Sequence, residues 1–140
     1  MKTTVVSVTT GSTKATFDLT NDVARFVAGE GDGLVNVFVP HATAGVAILE
    51  TGAGSDQDLI DAVDRILPPE DALYRHRHGS SGHGADHVLP AWIAPSIMVP
   101  VIDGRLALGT WQSIVLVDTN RDNPIRSVRL SMVAGGVTGT

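Results

Sequence analysis

The sequence predicts a single α+β domain over residues 1–140, with a largely antiparallel β-sheet covered by two or three helices. A chain of 140 residues suits one domain with a self-sufficient core. Hydrophobic residues make up 43% and charged residues 18%, which is typical of globular proteins. About eight segments have the length and patterning of strands, and helical patterns separate pairs of them.

The N-terminal third predicts a β-hairpin, a short helix and a buried strand. Residues 6–8 and 15–19 alternate apolar with polar side chains around Gly11-Ser12, which indicates an opening hairpin. Residues 20–28 have the spacing of a capped helix with one apolar face. Residues 34–39 form a valine-rich run that is typical of a buried strand.

The clearest helix follows Gly54 and ends at Pro68-Pro69. Ser55 and Asp58 have the spacing of a capping box. One apolar face is predicted to contain Leu59, Val63, Ile66 and Leu67. The remaining predicted elements are a second buried strand over 46–49, a polar loop over 70–85, helical turns over 86–94, a hairpin around Asp103-Gly104 and strands at 113–117 and 127–133.

Composition argues against several classes of function. The formal charge is −5 and the basic residues are scattered, so neither nucleic acid nor a membrane surface is an expected partner. The absence of cysteine excludes disulfides, thiolate nucleophiles and cysteine-based zinc sites. No secretory signal or membrane-spanning apolar run is evident, so we expect a cytoplasmic protein.

Histidine is the most suggestive residue type, because four of the five histidines lie between positions 76 and 87. Neutral imidazole binds zinc well, and catalytic zinc sites commonly use three protein ligands. His76 and His78 share a face if their segment is extended, and His83 and His87 share one if theirs is helical. The alternative is a solvated polar loop without a function, and the spacing alone leaves both interpretations open.

His41 follows a buried strand and lies close to Thr43. It is predicted either to point into a cleft or to bond a local carbonyl group. Asp58 is an isolated carboxylate with an alternative role in capping. Arg121 and Arg126 flank a turn and can hold an anion, although surface salt bridges are the commoner role of such residues.

Trp111 and Gln112 are predicted to lie on opposite faces of a strand over 110–117. An aromatic ring beside a side-chain amide suits ligand binding, but packing in the core is the alternative for the tryptophan. We therefore expect Gln112 to face the histidine pocket and Trp111 chiefly to fill the core.

An ordered set of segments resembles the YjbQ-like family. The segments are His41-Ala42-Thr43-Ala44-Gly45, Asp58-Leu59, Tyr74-Arg75-His76, His87, Val99-Pro100-Val101 and Leu108-Gly109-Thr110-Trp111-Gln112. The resemblance implies an α+β fold, a homotrimer and a histidine-lined pocket that holds a metal or an anion. It also implies a secondary thiamine phosphate synthase activity, which joins an aminopyrimidine pyrophosphate to a thiazole phosphate and releases pyrophosphate.

By this resemblance the catalytic candidates are His41, His76, His87, Gln112 and Asp58. The resemblance also gives Thr43 and Trp111 as substrate-binding candidates. Arg126 is added to them because it lies beside a turn. A divalent metal, zinc or magnesium, is expected on His41, His76 and His87, and no organic cofactor is expected. His83 stands where relatives usually carry asparagine, and His78 has no identified counterpart. Both are therefore predicted to lie outside the triad or at its rim.

The expected function is thus a thiamine phosphate synthase-like enzyme that acts on small anionic substrates. Two alternatives stay open: a metal-dependent hydrolase of a small anionic substrate, and a non-catalytic trimeric protein that binds a metal or a metabolite.

Overall fold

The computed structural model describes residues 1–136, which form eight strands and three helices. The strands are β1 (Lys2–Thr9), β2 (Ala15–Asp18), β3 (Gly33–Phe38), β4 (Ala44–Leu49), β5 (Ser96–Ile102), β6 (Arg105–Leu106), β7 (Ser113–Asp118) and β8 (Ile125–Ala134). The helices are α1 (Thr20–Val27), α2 (Ser55–Ile66) and α3 (His83–Trp92), with a 3₁₀ turn at Asp71–Leu73.

The strands form two antiparallel sheets. One has five strands in the order β1-β8-β3-β5-β6, and the other has three in the order β2-β7-β4. The predicted α+β class with antiparallel pairing is confirmed. The division into two sheets was not predicted, because the spacing of apolar residues locates strands without showing which of them pair.

The predicted opening hairpin is wrong. β1 pairs with β8 and β2 pairs with β7, so the two strands lie in different sheets. The chain crosses between the sheets at Thr10 and Gly11, whose N–H groups donate to the carbonyl of Pro124. The second predicted hairpin is confirmed, since Asp103 and Gly104 have the positive φ angles of 49° and 69° that a type I′ turn requires.

The core lies on both sides of β7. Ile114 and Leu116 pack into the larger apolar cluster with α1 and the five-stranded sheet. Val115 and Val117 pack into a second cluster with α2 and α3. This second cluster anchors α3, the helix that carries two of the histidines.

Two helix predictions need correction. The predicted capping box of α2 does not form, because the N-cap residue is Gly54 and no side chain caps the helix. Ile60 is buried on α2, whereas Ile66, predicted to be on the apolar face, is 53% exposed. α3 begins three residues before the predicted start at Asp86 and accommodates Pro90 two residues before its end. Within residues 1–136, no helix combines the length and apolar character needed to cross a bilayer.

Candidate functional site

Four histidine rings converge at the N-terminal end of α3. His83 and His87 lie one turn apart on the helix, so both project from one face, and their ring centroids are 4.6 Å apart. His76 comes from the segment after the 3₁₀ turn, and its ring lies 4.4 Å from that of His87. His78 packs on His76 at 3.8 Å. We call these four residues the histidine cluster.

Three members of the histidine cluster lie close enough together to hold a metal ion. One nitrogen each of His76, His83 and His87 lies within 4.8 Å of the other two, and the group includes no carboxylate. Both ring nitrogens of His76 and Nε2 of His87 are shielded from solvent and have no hydrogen-bond partner in the described part of the chain. Because buried polar atoms normally have partners, these nitrogens fit the ligand set of a bound cation.

Two members of the cluster, His76 and His87, favour the neutral form. Burial lowers the pKa of His76 and of His87, and the neighbouring histidines lower both further. Neutral imidazole is the form that binds a metal. The lowered pKa values of His76 and His87 and the short distances between the nitrogens therefore both suit metal binding.

Two glycines allow the histidines to approach one another. A side chain at Gly84 would lie 2.7 Å from Cβ of Tyr74, so glycine lets the segment that carries His76 pack against α3. The hydroxyl group of Tyr74 donates to the carbonyl of Pro68 over 2.7 Å and fixes that segment. A side chain at Gly79 would lie 2.7 Å from Cγ of His83.

His83 has polar neighbours from the loop between β7 and β8. Its Nδ1 lies 3.2 Å from Asn120 Nδ2 and 3.2 Å from Asp122 Oδ2. The Asp122 carboxylate also accepts from the hydroxyl of Ser80 at 2.8 Å and from its N–H at 3.2 Å. One carboxylate thus links His83 to the glycine-rich loop beside it.

A cleft of about 360 Å³ adjoins a smaller pocket lined by His76, His78 and His83, and Ser80 lines both. Lys14 and Arg121 contribute positive charge to its lining. Asp86 is buried at the cleft wall, where its Oδ1 accepts from the hydroxyl of Thr119 at 2.8 Å. Burial raises the pKa of Asp86, which its hydrogen bond from Thr119 partly opposes.

The second polar group of the interior surrounds Arg126, which is only 2% exposed. Its guanidinium donates to both oxygens of Asp118, over 2.7 and 2.9 Å, and to the hydroxyl of Thr43 over 2.8 Å. Thr43 and Arg126 were predicted to bind substrate, but the structure buries both and pairs them with each other. The anion beside Arg126 is a buried carboxylate of the protein, which is neither the predicted substrate nor the surface salt bridge that was the alternative.

His41 lies beside this ion pair, and its Nε2 accepts a hydrogen bond from the N–H of Ser127 over 3.0 Å. Burial and the nearby Arg126 lower its pKa, which Asp118 partly opposes. Within one chain, the prediction that His41 joins His76 and His87 is wrong, and His83 occupies that place instead. A meeting of His41 with the cluster across a subunit contact stays a prediction.

Three further predicted site residues lie apart from the cluster. Asp58 is exposed on α2. Trp111 is 74% exposed and lies in the turn before β7, so it does not fill the core. Gln112 is also exposed, and its Oε1 accepts from the N–H of Gly109 over 2.7 Å. The strand begins at Ser113, so the expected alternation of Trp111 and Gln112 does not apply.

Several residues of the site were not singled out from the sequence: Lys14, Asp86, Thr119, Asn120 and Asp122. All except Asp86 come from chain segments distant from the histidines. For Asp86 a local signal existed, since His83-Gly84-Ala85-Asp86-His87 places a carboxylate directly before the second histidine of a one-turn pair. Pairing of β7 with β2 brings the other residues to α3, and pairing is not visible in the spacing of apolar residues.

Comparisons with known proteins agree with this fold. A family model described as "UPF0047 protein YjbQ-like" matches residues 4–135. A UPF0047 protein of Mycobacterium bovis is 68% identical over 118 residues, covering 84% of this chain and 91% of its own. The UPF0047 protein YugU of Bacillus subtilis is 37% identical over 101 residues, covering 69% of this chain and 74% of its own.

Solved structures are similar as well. A hypothetical protein of Aeropyrum pernix superposes with a TM-score of 0.85 at 30% identity, over 96% of this chain and all of its own. An uncharacterised YjbQ/UPF0047 protein of Clostridium acetobutylicum superposes with a TM-score of 0.80 at 26% identity, over 93% of this chain and 99% of its own. The sequence match spans nearly every described strand and helix, and the chain belongs to the YjbQ-like (UPF0047) family.

Proposed function

We propose that this chain is a zinc-dependent enzyme that acts on a small phosphorylated substrate. The observation that carries the proposal is the meeting of three imidazole nitrogens within 4.8 Å at His76, His83 and His87. Shielded nitrogens without a hydrogen-bond partner support it, because such atoms are costly unless a ligand satisfies them.

Zinc fits this ligand set better than magnesium. Magnesium prefers oxygen ligands in octahedral geometry, whereas imidazole suits zinc and neighbouring transition metals. The ligand group contains only histidine nitrogens, and His78 stands beside it as a fourth imidazole. A zinc ion held there would supply Lewis-acid stabilisation of negative charge that develops on a phosphoryl oxygen.

The adjoining cleft supports a small anionic substrate. Its volume of about 360 Å³ is within the range of small-molecule sites. The ammonium group of Lys14 is held by Asp64 at 2.6 Å, and Arg121 has no ion pair among residues 1–136. Arg121 is therefore the better candidate to bind a phosphoryl group. Asp86 faces the same space and can hold or release a proton there.

The thiamine phosphate synthase reaction is one specific reaction that this proposal allows. Loss of pyrophosphate requires stabilisation of several negative charges, which a zinc site and Arg121 would supply. The expected stacking and amide contacts from Trp111 and Gln112 have no support within one chain, because both residues lie in an exposed turn. Hydrolysis of a phosphate ester or a pyrophosphate needs fewer contacts between protein and substrate, so the geometry favours this reaction.

The test is turnover by zinc-loaded protein with two kinds of substrate. One sample receives an aryl phosphate or inorganic pyrophosphate, and another receives the aminopyrimidine pyrophosphate with the thiazole phosphate. We expect phosphate release that chelation abolishes and zinc restores. His87→Ala should abolish it, while His41→Ala should leave it intact.

Each result separates the alternatives. Formation of thiamine phosphate would establish the transferase form, and release of phosphate alone would establish the hydrolase form. Tight zinc binding without turnover of any substrate would instead support the non-catalytic binding protein. A protein that neither binds zinc nor turns over a substrate would contradict the proposal.

We also propose that the chain assembles as a homotrimer, as the family resemblance implies, and that it acts in the cytoplasm. The outer face of the five-stranded sheet exposes large apolar side chains, each next to a buried residue of its own strand: Leu34, Phe38, Met98, Ile102 and Val133. An apolar face of this kind is typical of a surface that another subunit covers. Light scattering should report about three times the chain mass of 14.6 kDa, and Phe38→Asp should reduce that mass to one chain.

A further inference from the structure

We propose that His78 is a fourth imidazole ligand of the metal ion that the histidine cluster binds, and that it closes the site until a substrate takes its place. The inference rests on the proposed function and deepens it, because it names the side chain that controls access to the metal. The family resemblance does not supply this residue, since His78 has no identified counterpart among relatives.

The four rings of the histidine cluster lie at the corners of a distorted tetrahedron. All six distances between their centroids fall between 3.8 and 5.8 Å. Bonds of about 2.0–2.1 Å from a tetrahedral zinc to four imidazole nitrogens would put the centroids roughly 5 Å apart. The ring of His78 lies 5.8 Å from those of His83 and His87 and 3.8 Å from that of His76. These distances place it out of the plane of the other three centroids, where a fourth ligand belongs.

The contact between His78 and His76 leaves the nitrogens of His76 unsatisfied. Residues 74–78 have no regular secondary structure, but the two imidazoles lie on one side of the segment, as in an extended chain. Their rings are tilted by 53° and do not stack in parallel. Neither nitrogen of His76 has a hydrogen-bond partner among residues 1–136, so the two rings touch without bonding. A shared ion would satisfy both of them.

His78 is the outermost member of the histidine cluster. Its side chain is exposed, whereas the other three are partly buried. Gly79 follows it with a φ of 84°, a backbone conformation that glycine adopts without strain. Beyond Gly79 the chain is held at Ser80, whose hydroxyl donates to Asp122 over 2.8 Å. His78 is therefore the ligand that can leave the metal with the least disturbance of the fold.

The position of His78 decides whether the site is open. Catalytic zinc sites typically combine three protein ligands with water, whereas four protein ligands leave no open position. His78 lines the smaller pocket beside the cleft, and Ser80 lines both spaces. A small phosphorylated molecule in the cleft would therefore approach the metal from the side where His78 stands. Release of His78 would open the site to it.

Nitrogen NMR of histidine-labelled protein at a pH above about 8 tests the assignment, because the imidazoles are then neutral and the resonance of a bare nitrogen shifts when it binds zinc. In the wild type we expect zinc to shift one nitrogen resonance in each of the four members of the histidine cluster. Arg75→Ala, at an exposed position of the same segment, should also show four shifted imidazoles, and His78→Ala should show three. If zinc shifts the other three imidazoles of the wild type but not that of His78, the proposal is overturned while the zinc site stands.

Zinc affinity is the second measurement. Residues that only orient a metal ligand typically contribute about 10–100-fold, so loss of a direct ligand in His78→Ala should weaken zinc binding at least about 10-fold. Arg75→Ala should bind zinc as tightly as the wild type. Equal affinities of the wild type and His78→Ala would contradict the assignment.

Release of phosphate from an aryl phosphate at saturating zinc tests the closing role. His78→Ala should turn over severalfold faster than the wild type, because its fourth position stays open, and an equal or slower rate would overturn that role. Four shifted imidazoles without turnover of any substrate would contradict the proposed function but confirm His78 as a ligand.

Discussion

The polar groups around Arg126 and in the histidine cluster differ in how far their atoms have hydrogen-bond partners. Around Arg126, the guanidinium, the Asp118 carboxylate and the Thr43 hydroxyl satisfy one another with short hydrogen bonds. In the histidine cluster, both nitrogens of His76 and Nε2 of His87 are shielded from solvent and have no hydrogen-bond partner among residues 1–136. The charged and polar side chains of the first group bond to one another, whereas these nitrogens of the second have no partner among residues 1–136.

This difference separates a structural role from a functional one. Burial of charge is costly, so a complete network of hydrogen bonds around an ion pair indicates a part of the fold. Unsatisfied nitrogens gathered within ligand distance indicate a site for a ligand. Substitutions around Arg126 should therefore change stability, and substitutions in the histidine cluster should change ligand binding.

The largest expected effect is on stability, from Arg126→Ala. Removal of the guanidinium leaves Asp118 buried without its partner, which costs about 3–5 kcal/mol in comparable cases. Urea denaturation should show this loss, while Arg121→Ala, at an exposed site, should leave the midpoint nearly unchanged. A stability close to that of the wild type would show that Asp118 finds other partners.

Next in size is the loss of zinc affinity on removal of a ligand. His76→Ala and His87→Ala should each weaken zinc binding strongly. The loss should exceed the about 10–100-fold loss that is typical when a residue that only orients a metal ligand is removed. The metal-free variants should unfold no earlier than the wild type, because each substitution removes an unsatisfied nitrogen. His41→Ala is the matched control, and a comparable loss of affinity there would show that His41 reaches the cluster from another subunit.

A smaller effect is expected from a pair of glycine substitutions. Gly79 and Gly82 have φ angles of 84° and 87°, so alanine at either position should cost about 1–2 kcal/mol of backbone strain. Only at Gly79 would the added carbon meet the ring of His83, at 2.7 Å, whereas at Gly82 the nearest atom is 3.6 Å away. Gly79→Ala should therefore weaken zinc binding more than Gly82→Ala, and equal affinities would show that His83 adjusts freely.

The smallest effect is the dependence of stability on pH. The pKa values of His41, His76 and His87 lie below their ordinary value in the folded protein, so the unfolded chain binds protons first as pH falls. The stability of the metal-free protein should be full above about pH 6.5 and should be lost as pH falls through the folded-state pKa values. Denaturation of the double variant His76→Ala/His87→Ala should show a shallower loss over this range, and an equally steep one would assign the effect to other groups.

The sequence predicted local structure better than long-range arrangement. The type I′ hairpin at Asp103-Gly104 and the apolar face of α1 depend on nearby residues, and both were predicted correctly. The hairpin of β1 with β2 was wrong because both strands pair with strands more than 90 residues away. The spacing of apolar residues shows which face of a strand is buried but not which strand lies beside it.

The candidate site shows the same limit. His83 and His87 were predicted to share a face only if their segment were helical, and α3 meets that condition because it begins at His83. Lys14, Thr119 and Asp122 reach the site through the antiparallel sheet of β2, β7 and β4, and nothing in their local sequence marks them. Arg126 was predicted to be a ligand-binding residue because its buried partner Asp118 was not foreseen.

The most direct test of the account is X-ray absorption spectroscopy of the zinc-loaded protein at the zinc edge. We predict at least three imidazole ligands at about 2.0–2.1 Å, with the imidazole signal lost in the double variant His76→Ala/His87→Ala and kept in His41→Ala. A spectrum of oxygen ligands alone, or an imidazole signal that survives in the double variant, would contradict the assignment of the histidine cluster as the metal site.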